Sequence, residues 1–156
     1  MATDDVRIVE LEDENDADVH ALLVDLVVDE QDHYDHPRET RGELAARLRA
    51  RTRFTGENHV LVARDASSSP LGLCWVVLFD PGTGLEAEIA ELYVRPEARQ
   101  SGVASRLVAE AMALIRSRAV TFASAWTRDD NPAARAVYEA AGFRRTEQVV
   151  LTWLPV

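Results

Sequence analysis

The stretch Leu92-Tyr93-Val94-Arg95-Pro96-Glu97-Ala98-Arg99-Gln100-Ser101-Gly102-Val103-Ala104-Ser105-Arg106-Leu107 limits the choice of folds more than any other part of the chain. Its first residues have strand character and Pro96 stops them. Gly102 then precedes a run whose apolar residues return every three or four positions. A strand that feeds directly into a helix belongs to a mixed α/β fold, because the helix must pack back on the sheet it left. The first backbone N–H groups of such a helix have no partner within it. From Gln100 to Ala104 they would form a concavity for an anion, and the helix dipole adds roughly 0.3–2 kcal/mol for a negative charge there. Glycine at 102 keeps a side chain out of that concavity, and Ala104 is small for the same reason. The stretch lacks the lysine and hydroxyl residue of a P-loop, and it is not G-x-G-x-x-G with an acid about 20 residues on.

The rest of the pattern fits the same class. Residues 6–11 alternate as a first strand. Asn15 or Asp16 can cap a helix with Val19, Leu22, Leu23, Leu26 and Val27 on one face. Pro37 ends that region, and a second amphipathic helix over about 38–51 turns Leu44, Ala45 and Leu48 inward. Strands follow at 59–64, 71–79 and 86–94, then a helix from Gly102 to about Arg118 and a strand at 120–127. A helix over 131–141 is closed by Gly142, where a left-handed cap is expected, and residues 146–154 read as a last strand. The order β-α-α-β-β-β-α-β-α-β contains no internal repeat or linker.

The chain has 156 residues, 47% hydrophobic and 28% charged, which is ordinary globular usage and suits a single domain over 1–156. At that size folding removes roughly 70% of the unfolded surface from water, so no disulfide or metal staple is required. The lone Cys74 excludes a disulfide framework and a thiolate zinc site. The apolar run 71–79 is far short of the roughly 20 residues that span a bilayer. Met1-Ala2-Thr3-Asp4-Asp5 lacks the basic and apolar regions of a signal peptide, so a cytoplasmic location with no membrane partner is expected. Net charge is −10, and all 17 basic residues are arginine. So acidic a chain is a poor match to nucleic acid, and none is expected as a partner.

Beyond the first helix–loop element comes Asn131-Pro132-Ala133-Ala134-Arg135-Ala136-Val137-Tyr138-Glu139-Ala140-Ala141-Gly142-Phe143. Together the two segments resemble the signature of the GNAT superfamily of N-acetyltransferases. In that family an R/Q-x-x-G-x-G/A loop binds the pyrophosphate of acetyl-CoA. An N-x-x-A-x-x-x-Y-x-x-x-G-F segment supplies a tyrosine near the thioester sulfur. Arg99, Gly102 and Ala104 match the first pattern; Asn131, Ala134, Tyr138, Gly142 and Phe143 match the second. Leu92, Tyr93 and Val94 resemble the strand beside the pantetheine arm. The resemblance is close over about 58–153, while the first 57 residues fit only as a strand and two helices. It implies a single GNAT-like α/β domain whose central sheet is mostly antiparallel. A splayed parallel pair, 86–94 and 120–127, would hold the cofactor, with helices on the flanks. Acetyl-CoA is then the acetyl donor, held by Leu92, Tyr93, Val94, Arg99, Gln100, Ser101, Gly102, Val103 and Ala104, with Asn131 and Ala134.

Direct transfer of an acetyl group to an amine has three needs: proximity, a donor for the developing oxyanion, and routes for protons. The resemblance assigns the second to a backbone N–H of Leu92-Tyr93-Val94. Tyr138 is the candidate partner of the leaving thiolate, by hydrogen bond rather than full transfer. A thiol near 8.5 and a phenol near 10 differ by roughly 2 kcal/mol against that transfer. An alkyl ammonium near pKa 10.4 is neutral so rarely at pH 7 that a base or a water chain is needed. Glu88, in A-E-I, resembles the base of the histone-acetyltransferase branch; Glu91 points to the other face of a regular strand, and water is the remaining alternative.

Asp29, Glu30, Asp32 and Asp35 gather beside His33, Tyr34 and His36 where the first helix ends. Carboxylates around a cleft concentrate cations, so a small, positively charged amine is the expected acceptor, entering near 31–37. H-x-x-H in that loop is a weak metal signal that the chemistry does not require, and no metal is expected. Cys74, on an apolar strand, reads as core. The rival functions are acetylation of a protein N-terminus or side-chain amine, and a CoA-binding regulatory module without turnover. A homodimer is left open.

Overall fold

The computed structural model describes residues 9–31, 38–53, 55–151 and 153. Its elements are α1 (Ala17–Glu30), α2 (Arg41–Arg47), β1 (Gly56–Arg64), β2 (Pro70–Phe79), β3 (Leu85–Val94), α3 (Val103–Ser117), β4 (Val120–Ala125) and α4 (Pro132–Ala140). A single 3-10 turn, Pro96–Ala98, lies between β3 and α3. The sheet order is β1-β2-β3-β4. Short turns make β1, β2 and β3 an antiparallel meander. The α3 crossover leads to β4, and Thr121 Oγ1 donates to Leu85 O at 3.1 Å, so both strands start at the same edge and run parallel. The chain is therefore mixed α/β, as its element pattern requires.

By backbone packing the described residues fall into two units. The first takes in Met1–Glu57, Leu78–Glu86 and Val120–Phe122. Here Asp16 caps α1, its Oδ1 accepting from Asp18 N at 2.9 Å and Val19 N at 3.0 Å. A capping box of Thr40 and Glu43 starts α2. The core is Val24, Leu44 and Leu48, with Leu23, Val27, Val28 and Ala45 against it. This corrects the expected inner face of α1: Leu22 and Leu26 are 65% and 49% exposed. The helix contacts α2 through the Val24–Val28 side, and residues half a turn away stay in water. Helix α2 is also shorter than expected. Leu48 turns extended, and Arg49 N donates to Gly82 O at 2.9 Å instead of continuing the helix.

The second unit takes in Asn58–Val77, Ala87–Ala119 and Ala123–Val156. Its buried residues are Cys74, Val76, Ala87, Ile89, Ala98, Leu107, Val108, Ala111, Ile115 and Tyr138. Leu107, Val108, Ala111 and Ile115 form one stripe of α3, which is why that helix has an unambiguous inward face. Neither terminal strand expected from the sequence is found among the described residues. Residues 6–8 lie outside the described residues, and 9–11 are irregular. Residues 143–151 join no ladder, and Val149 and Leu151 are 81% and 90% exposed. An alternating pattern suits a strand but does not supply the neighbour whose N–H and C=O groups make one. No described helix is long and apolar enough to cross a membrane.

One close approach fixes the β2–β3 pair. A Cβ on Gly72 would lie 2.5 Å from Tyr93 O and 3.1 Å from Val94 Cα, both backbone atoms that cannot swing aside. Gly72→Ala should therefore lower stability by about 1–3 kcal/mol, the usual cost of overpacking, in urea unfolding. A variant as stable as the parent would show that the strands can part freely there.

Candidate functional site

Site residues from β3 onward lie in the second unit, and the loop after β3 has the conformation an anion site needs. Gln100 has φ +60° and Gly102 φ +81°, both in the left-handed region. Gly102 is the N-cap of α3 and makes no side-chain cap bond; Arg106 N is the first amide to bond back, to Gly102 O at 3.1 Å. The amides of Val103, Ala104 and Ser105 are the free first turn. A Cβ added to Gly102 meets nothing within 4 Å, so the side over these amides is open to a ligand. Ser101 Oγ donates to Ala98 O at 2.6 Å and braces the turn. Arg99 Nε donates to Val94 O at 3.1 Å, which anchors its stem and leaves its terminal nitrogens for a phosphate. The expected loop is thus formed, and its glycine is required by φ as well as by space.

Strand β3 is not regular, which changes the expected placement of its carboxylates. The buried positions of β2 in this unit are Gly72, Cys74 and Val76, and those of β3 are Ala87 and Ile89. Residues across an antiparallel pair share a face, so near Val76 an even number on β2 stands against an odd one on β3. At the strand's end the parity differs: Arg95 N donates to Leu71 O at 2.9 Å, and Gly72 lies against Val94. An extra residue in β3 accounts for the slip. The consecutive exposed residues Ala90 and Glu91 mark its place. Glu88, Glu91 and Tyr93 consequently share one burial phase, whereas a regular strand would put Glu88 and Glu91 on opposite faces. Glu88 is half-buried, Glu91 is exposed and Tyr93 is 51% exposed.

The same register orients the backbone. Arg95 N–H points at β2, so by alternation the N–H groups of Leu92 and Val94 point the other way. Counting on from Leu85 beside Thr121, Ala125 stands level with Ile89. Beyond that level β4 has ended, and Leu92 and Val94 face a side with no strand. This is the opening that the expected splay of the parallel pair was to provide.

Helix α4 accounts for the second motif residue by residue. Asn131 Oδ1 caps it by accepting from Ala134 N at 3.1 Å. At its other end Phe143 N donates to Tyr138 O and Gly142 N to Glu139 O, both at 3.0 Å. Gly142 has φ +102°, and the Tyr138 and Phe143 rings meet edge to face at 5.7 Å. These features compose a Schellman cap with its apolar clasp. Asp129 receives both Arg135, at 3.0 Å, and Arg145, at 3.3 Å, which ties the chain together on either side of α4. Tyr138 is 7% exposed, and its hydroxyl has no hydrogen-bond partner among the described residues. Burial first, then the nearby Cys74 and Glu91, push its pKa up to about 12. Cys74 is fully buried, and burial pushes its thiol up to about 11, so it stays protonated and is no nucleophile at neutral pH.

Residues 12–143 match the model of the acetyltransferase (GNAT) family. The chain belongs to that family. It is 32% identical over 112 residues to the mycothiol acetyltransferases of Clavibacter sepedonicus and Clavibacter michiganensis subsp. michiganensis. That match takes in 72% of this chain but 35% of each relative, so the chain spans about a third of the length of those proteins. Among solved structures, a Pyrococcus furiosus protein described as an acetyl transferase superposes with a TM-score of 0.55 at 20% identity, covering 90% of this chain and 95% of that one. An aminoglycoside acetyltransferase from an uncultured soil metagenomic sample, solved with sisomicin, gives 0.55 at 16% identity, covering 92% and 91%. These structural likenesses establish a shared fold.

In this GNAT chain the turn at Gly102, the outward amides of Leu92 and Val94, and Tyr138 fall in one unit, with the charge of Glu91 felt at the Tyr138 hydroxyl. The expected acceptor loop, with Asp32, His33, Tyr34, Asp35 and His36, lies outside the described residues. The slip at Ala90–Glu91 was missed from the sequence. The usable signal was E-I-A-E, in which two carboxylates three apart frame an alanine. The raised Tyr138 has a consequence for stability. Its unfolded phenol loses its proton near pH 10 while the folded one holds on to about 12, so stability falls between those values. Urea unfolding at pH 9 and pH 11 should show a larger loss for the parent than for Tyr138→Phe; equal losses would mean that Tyr138 titrates normally.

Proposed function

We propose that the chain is an acetyl-CoA-dependent N-acetyltransferase that moves an acetyl group directly to a primary amine of a small molecule. The observation that carries this reading is the single run of chain from β3 into α3, which has outward amides at Leu92 and Val94 and then the open left-handed turn at Gly102. The free space where a Cβ of Gly102 would stand fits a pyrophosphate approaching the amides of Val103, Ala104 and Ser105. Acetyl-CoA, when bound, supplies the activated acetyl thioester.

The remaining work falls to side chains and amides of this protein. Arg99 and the first turn of α3 neutralise phosphate charge, which a chain of net charge −10 must do locally. The N–H groups of Leu92 and Val94 face the side where β4 has ended, where donors fixed in advance stabilise a developing negative oxygen. Tyr138 keeps its proton at neutral pH and offers it in a hydrogen bond from Oη. Full transfer from a phenol at about 12 to a thiolate of ordinary pKa near 8.5 would cost about 5 kcal/mol, so the bond stabilises the leaving group without protonating it. Glu88 takes the amine's proton, directly or through water. The small-molecule class is supported by relatives named for mycothiol and for aminoglycosides. The protein is read as one domain over 1–156.

Two variants test this. Gly102→Val should reduce acetyl-CoA affinity at least about tenfold by calorimetry while the chain still unfolds cooperatively, because a side chain now covers the amides and the backbone there is strained. Wild-type affinity in that variant would remove the loop from the site. Tyr138→Phe should lower kcat about a hundredfold with little change in acetyl-CoA affinity, since only the hydroxyl is lost. An unchanged kcat with chemistry rate-limiting would return Tyr138 to the core.

A further inference from the structure

One face of the sheet in the second unit carries an aromatic side chain that the acetyl-transfer reading leaves unused. Gly72, Cys74 and Val76 are the buried positions of β2, so Trp75 points to the opposite, open face, where it is 40% exposed. Its indole Nε1 donates to Asn58 Oδ1 at 2.8 Å. That bond satisfies the only polar atom of the ring and fixes the ring's orientation, so what remains to offer a ligand is apolar π surface. The partner also places the neighbours. Val60 and Val62 are in phase with Asn58 on β1, and they are 49% and 43% exposed. On the other side, counting back from Gly72 beside Val94, Leu73 stands level with Tyr93 and Trp75 with the slip at Ala90–Glu91. Tyr93 is 51% exposed. All these residues belong to the same unit.

The open face is continuous with the proposed transfer site. Tyr93 lies between Leu92 and Val94, whose amides point to the side with no strand. Its border on β3 is acidic, since Glu88 and Glu91 share the phase of Tyr93. A molecule lying on Trp75 therefore has one end beside the acetyl group and meets negative charge there, which fits an amine better than a second apolar surface.

We propose that Trp75 selects the acceptor by stacking on a flat, unsaturated ring carried by the amine, with Asn58 as the positioning residue that holds the indole for it. The inference rests on the acetyl-transfer reading and adds the body of the acceptor to it. The level of Trp75 is two residues from that of Tyr93, about 7 Å along a strand, a span that a short alkyl tether between ring and amine covers. Offset or edge-on stacking then adds to the gain from burying both rings.

The test uses the whole chain, acetyl-CoA and two acceptors that are both cationic at neutral pH, phenylethylamine and ethylamine. The parent should favour phenylethylamine. Trp75→Ala should narrow that preference about tenfold, with the loss in KM for phenylethylamine rather than in kcat, and Trp75→Phe should keep most of it. Asn58→Ala should cost about threefold in the same KM when Trp75 is present and nothing in the Trp75→Phe background, where there is no N–H to hold. Acetyl-CoA binding is read on the same samples by calorimetry. A preference unchanged in Trp75→Ala, a KM that changes equally for both amines, or a parent that favours ethylamine overturns the role of Trp75 while leaving acetyl transfer intact. If Trp75→Ala does not fold, an Asn58→Ala effect that persists in the Trp75→Phe background overturns it instead. A parent that binds no acetyl-CoA, or turns over neither amine, overturns the acetyl-transfer reading and this inference with it.

Discussion

The site depends on how the end of β3 is pinned against β2. Gly72 has no side chain, so Tyr93 O and Val94 come within a distance that no other residue would allow, and Arg95 N bonds to Leu71 O just beyond. This closure fixes the register at one end, while burial of Val76 and Ile89 fixes it near the middle. The two registers disagree by a residue, and the strand absorbs the difference at Ala90–Glu91. The direction of the Leu92 and Val94 amides, the common phase of Glu88, Glu91 and Tyr93, and the launch of the turn into α3 all follow from that mismatch. A bulge is a local cost that the surrounding ladder can hold in place, which is why such features gather where a strand must re-aim a group.

Tyr138 shows how a helix terminus fixes a side chain. The Schellman cap places the tyrosine at the position whose carbonyl receives Phe143 N, and the Phe143 ring then packs on it edge to face. The side chain is thereby fixed and mostly dehydrated, and its hydroxyl takes no hydrogen-bond partner among the described residues. Dehydration raises the phenol, so the group is a steady hydrogen-bond donor and a poor acid. In a mechanism with a thiolate leaving group, a fixed dipole of that kind stabilises charge without having to reorganise.

Charge is distributed to match. The protein carries ten more negative than positive charges, yet Arg95 and Arg99 both lie in the turn into α3, a few residues before its first-turn amides. The carboxylates Glu88 and Glu91, with no ion-pair partner among the described residues, lie upstream on the same strand. One strand and the loop that follows it therefore carry charges of opposite sign at their two ends.

Local chemistry made much of this legible from the sequence alone. The cap at Asp16, the stop at Gly142 and the helical stripe of α3 are each set by residues within a turn of one another, and each is found as expected. The left-handed turn at Gly102 and the helix that carries Tyr138 were readable for the same reason, since R-x-x-G-x-A and N-x-x-A-x-x-x-Y-x-x-x-G-F describe contiguous turns. What required the folded chain depends on a neighbour distant in sequence. The buried face of α1 is chosen by α2, and Leu22 and Leu26 lost to Val24. Residues 146–151 alternate like a strand, yet no ladder takes them. The slip in β3 exists only because β2 holds both ends of it, so nothing in Glu88-Ile89-Ala90-Glu91 by itself could place the two carboxylates together. Hydrogen bonds between near neighbours are written in the sequence, whereas strand register is set by two distant segments at once and is decided only in the folded sheet.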